Sequence, residues 1–227
     1  MKEVKIDINT LKDNVNFLRK YFNDRLNSDF NIGETPITQK QFHELMGYNP
    51  SFNKCDDCPV ENLTWNEAAA FCNALSRKHG LEEYFEEKHS GKNIECEVKP
   101  EFDGKDYSKC NGYRFPTETE WRFVTSFEVN TKADILKMAW AKENSKGKTH
   151  KVGSKEPCER GIYDIFGNVW EYTLDMYCIQ WRKASGRVVL GGSWNYSSEG
   201  CRSLGRIVDS KQYRSSEIGF RVARTVK

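Results

Sequence analysis

The second half of the chain is divided into short apolar pieces by glycine, asparagine and serine, and this texture limits the fold more than any other feature. Two examples beyond about residue 135 are 161–165 (GIYDI) and 187–192 (RVVLGG). Pieces of this length, bounded by turn-forming residues, are typical of short strands and tight loops rather than helices. The sequence therefore predicts an α+β fold in which much of the backbone is irregular.

The clearest helix signals lie in the first 125 residues, where three segments begin with a capping box. In this motif a hydroxyl accepts a hydrogen bond from a free amide of the first turn, and Glu or Gln three residues later bonds back to the capping residue. The predicted starts are Thr38 with Gln41, Thr64 with Glu67, and Thr117 with Glu120. The second helix continues with apolar residues at helical spacing and is predicted to stop at Gly80.

Composition excludes several classes of protein. A chain of 227 residues suits one sizeable domain, and a 37% apolar and 13% aromatic content is enough to build a core. Its 35 basic and 33 acidic residues are interleaved and give a net charge of +2, so charge alone would not hold nucleic acid or an anionic membrane. No membrane-spanning stretch or signal peptide is visible, which predicts a cytoplasmic protein, or one displayed on a phage or cell surface by another route.

Residues 1–30 form a distinct opening to the domain that we assign to 31–227. Val4 to Ile8 alternate like a strand, and apolar residues at 11, 15, 18 and 22 have helical spacing. This extension is predicted either to dock on the domain or to mediate association; the oligomeric state itself is not predicted.

Several segments, in order, resemble one family. They are 33–39 (GETPITQ), 46–51 (MGYNPS), 58–65 (CPVENLTW), 112–121 (GYRFPTETEW), 161–172 (GIYDIFGNVWEY), 187–194 (RVVLGGSW) and 218–222 (IGFRV). Together they are similar to the formylglycine-generating-enzyme or sulfatase-modifying-factor domain, over roughly residues 32 to 224. The resemblance implies an elaborated C-type-lectin-like fold.

The resemblance also implies a calcium site in the loop that ends at Glu171. In this family the matching loop holds the ion through backbone carbonyls and a carboxylate, here those of Gly167, Val169 and Glu171, and oxygen ligands are what calcium requires. The alternative is that Asn168 and Glu171 only bond the amides of their own loop. A second family site would use Asn144, but its acidic partner has no clear equivalent.

Copper chemistry is the family's catalytic activity, in which two thiolates hold the metal that oxidises a substrate cysteine to formylglycine. Soft sulfur ligands suit Cu(I). Counted from the Gly-Gly-Ser segment, the two ligand positions fall on Tyr196 and Cys201, so one thiol is missing. If the resemblance is anchored instead on the downstream segment 202–206 (RSLGR), Cys201 shifts to a non-catalytic position. The copper-dependent oxidase, acting on a sulfatase-like substrate with Cys201 as its one identified ligand, is therefore the alternative function. A small, half-buried residue beneath a loop is the other interpretation of Cys201.

The remaining cysteines leave several states open. Eight cysteines without an export signal predict reduced thiols by default. Cys55 and Cys58 have a metal-type spacing, and Cys96 and Cys110 could complete a four-thiolate zinc site. A disulfide is the other alternative, with Cys96 and Cys110 as the expected partners because they flank a hairpin-like insertion.

The segment between Trp194 and Ile218 is poor in aliphatic residues and resembles the ligand surface of non-catalytic members of the family. Tyrosine, serine, aspartate and arginine make an adaptable recognition set. The predicted contact residues are Trp194, Asn195, Tyr196, Ser198, Glu199, Arg206, Ile207, Asp209 and Tyr213. Family arginines in this segment also tie loops together, which is the alternative role of Arg202, Arg206 and Arg221.

We therefore predict a non-catalytic module that binds a protein or glycan. The resemblance extends to the variable proteins of diversity-generating retroelements, which place their diversified codons in this same stretch. A structural subunit assembled through residues 1–30 is a third hypothesis.

Overall fold

A computed structural model describes residues 1–8, 26–90, 93–126, 131–179, 184–201 and 205–226 of the chain. Within these residues it shows four α-helices, two 3-10 helices and nine strands. The α-helices are α1 (Gln39–Met46), α2 (Trp65–Lys78), α3 (Glu118–Val124) and α4 (Lys132–Met138), and the 3-10 helices are Pro100–Phe102 and Gly104–Lys109. The strands are β1 (Glu3–Ile6), β2 (Phe30–Gly33), β3 (Phe85–Ser90), β4 (Asn93–Val98), β5 (Trp170–Ile179), β6 (Ala184–Leu190), β7 (Arg206–Asp209), β8 (Ile218–Gly219) and β9 (Ala223–Thr225).

All three predicted capping boxes are present and begin α1, α2 and α3. In each, the threonine hydroxyl accepts from the amide three residues on, and the Gln or Glu side chain accepts from the threonine amide. Helix α2 ends at Lys78, and Gly80 follows with φ +66°, a conformation that glycine adopts without strain. The prediction of these helices is confirmed.

The N-terminal strand belongs to the main body of the domain. It pairs with β2, and β2 pairs in turn with β9 near the C-terminus, so the sheet order is β1-β2-β9. The predicted strand at residues 4–8 is therefore found at Glu3–Ile6, and these residues dock on the domain. The predicted helical positions 11, 15, 18 and 22 lie outside the described residues.

A four-stranded sheet carries the C-terminal segment. Its strand order is β7-β6-β5-β8, with β6 antiparallel to both neighbours and β5 parallel to β8. Strands β7 and β8 therefore lie at opposite edges, three interstrand spacings or about 14 Å apart. The segment between Trp194 and Ile218 crosses from one edge of this sheet to the other.

Two hydrophobic clusters form the core of the part of the chain that the structure describes. The first packs α1 and α2 against the β3–β4 hairpin and the start of β5, and the second packs β1 and β2 against α3 and β6. The first contains Phe42, Trp65, Phe71, Phe85, Phe115, Tyr172 and Phe220, and the second contains Ile6, Phe30, Ile32, Trp121, Phe166, Val188 and Cys201. Burying one such large side chain contributes about 1.5–3 kcal/mol. Among the helices that the structure describes, none is long and apolar enough to cross a membrane.

Candidate ligand-binding surface and its buried support

The Gly-Gly-Ser turn after β6 begins the candidate surface, and its second glycine is required by geometry. Gly192 has φ +84°, and a Cβ there would lie 2.5 Å from the sulfur of Cys201. A larger residue would therefore clash with Cys201 and strain the backbone. Because residue 192 is a glycine, the turn avoids both the clash and the strain and packs closely over Cys201.

Cys201 is a fully buried thiol beneath this turn. Its Sγ lies 3.9 Å from the carbonyl oxygens of Ser193 and Tyr196, and burial raises the pKa of the thiol to about 12. A thiolate, not a thiol, is the form that binds metal or attacks a substrate. Within the described parts of the chain, no three His, Cys, Asp or Glu side chains come together as a metal site. The interpretation of Cys201 as a small packed residue fits this environment.

Tyr196 and Asn195 stand on the outer side of the same turn. Tyr196 is 43% exposed, and its ring meets the buried Trp170 ring edge-on with centroids 5.1 Å apart. The Asn195 amide donates to Glu217 Oε1 at 3.1 Å, and Ser193 Oγ donates to Glu217 Oε2 at 2.5 Å. Glu217 therefore holds the two ends of the segment together.

Trp194 anchors the segment from below. Its indole Nε1 donates to the Ser216 carbonyl at 2.9 Å, and its backbone amide donates to the Asn168 carbonyl at 2.9 Å. Ser145 Oγ donates to the Trp194 carbonyl at 2.7 Å. Half-buried Trp194 thus connects the turn to residues 215–217 and serves as a support more than as a contact surface.

The structure corrects the assignment of Ser198 as a ligand contact. Ser198 is fully buried, and its amide and hydroxyl both donate to the carboxylate of Glu143. Although partial burial opposes the shift, hydrogen bonds from Lys132 and Ser198 lower the pKa of Glu143 to about 2. Ser198 supports the turn from inside, whereas its neighbour Glu199 is exposed.

The predicted contacts on β7 lie apart from Tyr196, because β7 forms the opposite edge of the sheet. Arg206 lies 3.3 Å from Glu118 Oε1 and 4.3 Å from the Tyr177 ring centroid, which agrees with its alternative role in tying elements together. Ile207 packs on the first hydrophobic cluster, and burial raises the pKa of half-buried Asp209. The nine predicted residues therefore do not form one continuous surface.

Tyr213 lies in the part of the segment between β7 and β8. It is 49% exposed, and its backbone is bonded internally: its carbonyl accepts from the Tyr172 hydroxyl at 3.3 Å, and its amide donates to the Ser210 carbonyl at 3.0 Å. We name as the exposed rim the exposed side chains on both arms of the segment. These are Asn195, Tyr196, Ser197, Glu199, Gln212, Tyr213 and Arg214.

Glu171, the predicted calcium ligand, is bound to a guanidinium. Its Oε1 accepts from Arg221 Nη2 at 2.6 Å, and its Oε2 accepts from Arg221 Nε at 2.7 Å and from Trp121 Nε1 at 3.0 Å. Glu171 and Arg221 are both fully buried, and Arg221 also donates to the carbonyls of Gly33 and Tyr163. The structural role of Arg221 is as predicted, whereas Arg202 lies outside the described residues.

Asp164 is a second buried acid in this loop, and the sequence interpretation missed it. Its oxygens accept from the Gly153 amide at 2.6 Å and the Asn168 side chain at 3.3 Å, and burial raises the pKa of its carboxyl to about 6. Among the residues described, no cation lies within ion-pair distance of it. Its place three residues before Gly167, in the same tight turn, was the available signal. We name Asp164, Glu171 and Arg221 the buried ionic centre.

The donor set fits calcium only in part. Asp164 offers a buried carboxylate without a direct cationic partner, and the Gly167 and Val169 carbonyls belong to the same loop, which suits a hard cation. The Glu171 carboxylate, in contrast, already carries Arg221. Calcium binding by these residues stays a prediction.

The cysteine pairing differs from the prediction of reduced thiols. Cys55 and Cys58 form a disulfide, whereas Cys96 and Cys110, the expected partners, are both free and buried. The Cys96 amide bonds Asn66 on α2, but the sulfur of Cys110 lies between the Glu82 carbonyl and the Gly112 amide. The two 3-10 helices lie between Cys96 and Cys110 in the chain, and they place Cys110 beside neighbours other than those of Cys96. No four-thiolate cluster forms in the portion of the chain covered by the structure.

The fold and the site together define a C-type-lectin-like domain in which one buried, free cysteine lies beneath the Gly-Gly-Ser turn and a half-exposed tyrosine lies on it. Residues 20–226 match the family described as sulfatase-modifying factor enzyme 1-like domain. The chain belongs to this family, and the predicted family and α+β fold class are confirmed.

Individual relatives are similar over most of the chain. A chaperone protein LppX from Paenibacillus barcinonensis is 32% identical over 206 residues, covering 74% of this chain and 70% of that protein. The inactive C-alpha-formylglycine-generating enzyme 2 of Mus musculus is 24% identical, covering 83% of this chain and 56% of the mouse protein. The solved structure of Treponema denticola variable protein 1 superposes with a TM-score of 0.74 at 31% identity, covering 87% of this chain and 85% of that one.

Proposed function

We propose that the chain is a non-catalytic module that binds a protein or a glycan through its exposed rim. One observation carries this proposal: the rim side chains face solvent, while the backbone beneath them is held by buried groups. The bonds from Trp194 to Ser216 and from Tyr172 to Tyr213 use backbone carbonyls, so they are independent of which side chain stands at 213 or 216. At these positions the surface can change its side chains without loss of its support, whereas the side chains of Asn195 and Arg214 also bond Glu217 and Glu67.

The chemistry of the rim suits an adaptable contact. Two half-exposed tyrosines supply rigid apolar area, Asn195 and Ser197 supply hydrogen-bonding groups, and Glu199 and Arg214 supply one charge of each sign. Stacking of sugar rings or burial of a peptide side chain against Tyr196 and Tyr213 would supply most of the affinity.

The similarity to Treponema denticola variable protein 1 supports the proposal that the rim is the variable part of this chain. The decisive observation is genomic. We expect a template repeat beside the coding sequence, nearly identical to the codons for this segment and differing only where the template has adenine. A neighbouring sequence without such a repeat would contradict the variable-protein assignment but not ligand binding.

Binding itself is tested on glycan and surface-protein arrays with three proteins: the wild type, a Tyr196→Ala/Tyr213→Ala variant and a Phe52→Ala control. Phe52 is 77% exposed but lies outside the segment. We expect array signals that disappear in the double variant and persist in the control. Signals equally strong in all three proteins would contradict the assignment of the rim.

The copper-dependent oxidase has less support from the site. Two converging thiolates are the minimum equipment for that chemistry, and Cys201 is one buried thiol with Tyr196 at the second position. Titration with Cu(I), followed by oxygen uptake in the presence of a cysteine peptide, tests this alternative. Stoichiometric copper binding with oxygen consumption would overturn the non-catalytic assignment.

A second candidate function is assistance in the folding of a partner polypeptide. The 32% identity with a chaperone protein is the observation that favours it. The test is suppression of aggregation of a thermally unfolding client protein, with the double rim variant alongside. Suppression that depends on Tyr196 and Tyr213 would define the client as the ligand of the rim.

A further inference from the structure

The disulfide between Cys55 and Cys58 lies in a surface loop that is held in place independently of the sulfur bond. The buried side chain of Gln39 is the centre of this loop, because all of its hydrogen-bonding groups are used there. Its Nε2 donates to the carbonyls of Asn53 and Pro59, and its Oε1 accepts from the Asn49 side chain and the Cys55 amide. The loop therefore has a framework that does not require the disulfide.

The start of α1 holds the same loop through backbone bonds. The Gln39 amide donates to the Cys58 carbonyl at 2.9 Å, and the Lys40 amide donates to the Asp56 carbonyl at 3.0 Å. The Cys58 amide donates to the Cys55 carbonyl at 3.0 Å and closes the turn between the two cysteines. Because these bonds do not involve sulfur, we expect the two cysteines to stay adjacent after the disulfide is reduced.

The two sulfur-bearing residues differ in access. Cys55 is partly exposed, whereas Cys58 is only 3% exposed. This asymmetry is what a thiol–disulfide couple requires, with one cysteine to meet an outside thiol and one to resolve the mixed disulfide. A purely stabilising role is less well motivated, since a bridge that closes so short a loop contributes only about 2 kcal/mol.

A cavity of about 300 Å³ lies directly beside the pair. It is lined by Asn53, Lys54, Cys55, Cys58, Lys148, Thr149, His150 and Lys151. No acidic side chain from the described part of the chain lines it, although Asp57 pairs with Lys151 at 3.1 Å from outside. Lys148 makes no ion pair with any described residue, so the cavity favours an anionic occupant.

Thr149 provides a second observation that points to a ligand. The residue is 3% exposed and lines the cavity, and its hydroxyl has no hydrogen-bond partner among the described residues. A buried hydroxyl without a partner costs free energy that a bound polar group would recover.

We propose that Cys55 and Cys58 are a reversible thiol–disulfide couple that exchanges with a small anionic thiol bound in this cavity. The thiolate of the small molecule attacks Cys55 Sγ, forms a mixed disulfide and releases Cys58 as a thiolate, which takes up a proton. A second molecule of the same thiol then attacks the sulfur of the bound small molecule and releases Cys55. The protein disulfide gains two electrons, and the two small thiols leave as their own disulfide.

The experiment compares two small thiols of similar size and opposite charge, 3-mercaptopropionate and cysteamine, at equal thiolate concentration. All proteins carry Cys178→Ser, so that the readout does not include that thiol, and the five free cysteines that the structure describes are buried. Alkylation followed by mass spectrometry of the peptide around residues 55–58 gives the rate of opening in the folded protein. We expect 3-mercaptopropionate to act at least about threefold faster, with the preference lost in Lys148→Gln/Lys151→Gln and at high salt.

Two single variants test the order of attack. Each variant is incubated with the disulfide of 3-mercaptopropionate, which releases one 3-mercaptopropionate for each mixed disulfide that forms. Cys58→Ser is expected to accumulate a mixed disulfide on Cys55, whereas Cys55→Ser is expected to accumulate little on buried Cys58. The wild-type rates keep the proposal testable if a variant does not fold. Opening only in denaturant, an equal or faster reaction with cysteamine, or equal trapping on both cysteines would overturn it.

Discussion

The buried ionic centre and the exposed rim are close in sequence but are built on opposite principles. In the ionic centre, every hydrogen-bonding group of Arg221 meets a specific partner away from water, and Glu171 accepts three hydrogen bonds. In the exposed rim, side chains such as Tyr213 project from backbone positions that are held from below. The difference separates residues that determine whether the domain folds from residues that are free to determine what it binds.

The largest expected effect is at Arg221. Arg221→Met removes the only direct cationic partner of Glu171 within the described residues and leaves a buried charge, so the free energy of unfolding should fall by about 3–5 kcal/mol. Urea unfolding followed by circular dichroism measures this loss. Arg224→Met is the matched control, because Arg224 is partly exposed and pairs with Glu3. Losses of equal size in the two variants would remove the distinction between the ionic centre and the surface.

Asp164→Asn should show the next largest effect, and its sign depends on pH. The folded carboxyl has a pKa of about 6 against an ordinary value of 3.8, so the protonated form stabilises the fold below pH 3.8 and that stability is lost as pH rises to about 6. Asparagine does not ionise and also tolerates the φ of +50° at this position. The difference in free energy of unfolding between the variant and wild type should therefore shift by about 3 kcal/mol in favour of the variant as pH rises from 3.8 to 7.

The calcium prediction can be tested by the same comparison of unfolding free energies. If the ion binds beside Asp164, its addition at pH 7 should stabilise the wild type but not Asp164→Asn, and the difference between the two proteins should narrow. A difference that depends on pH but not on calcium would count against the calcium prediction. No pH dependence of the difference would contradict the burial argument itself.

Glu217→Gln should have a smaller effect, because Glu217 is half-buried and lies between the two regions. The variant keeps the shape of the side chain but weakens the bonds from Ser193 and Asn195, each a hydrogen bond to a charged group. We expect a loss of about 1–2 kcal/mol and faster hydrogen exchange in residues 193–197. Unchanged exchange there would show that the turn is held without the charge of Glu217.

The sequence predicted what depends on local chemistry. Capping boxes are local, and all three began helices where expected; Glu120 shows why, since its carboxylate accepts from the Thr117 amide and also pairs with buried Arg114. The role of Glu171 depends on Arg221, fifty residues away, and a pattern of neighbours contains no such information. The burial of Ser198 likewise depends on Glu143, which no periodicity connects to it.

The disulfide likewise could not be predicted from local sequence. A spacing of Cys-x-x-Cys fits zinc, a bridge or free thiols equally well, and Gln39, which determines the geometry of the loop, precedes Cys55 by sixteen residues. The signal that distinguishes these states is the hydrogen bonding of the loop. It appears only once α1 is packed beside the loop.

The smallest expected effect on stability is at Tyr213, where the comparison is sharpest. Tyr213→Ala removes a half-exposed ring but keeps the carbonyl that accepts from Tyr172, so the free energy of unfolding should change by no more than about 0.5 kcal/mol. Tyr172→Ala removes the buried partner of the same hydrogen bond and should cost about 3–5 kcal/mol. If array binding is lost in Tyr213→Ala while its unfolding curve matches wild type, the Tyr213 side chain serves recognition, and the hydrogen bond from Tyr172 to the Tyr213 carbonyl serves folding. A large stability loss in Tyr213→Ala would instead mean that the rim is part of the scaffold, and its side chains could not vary freely.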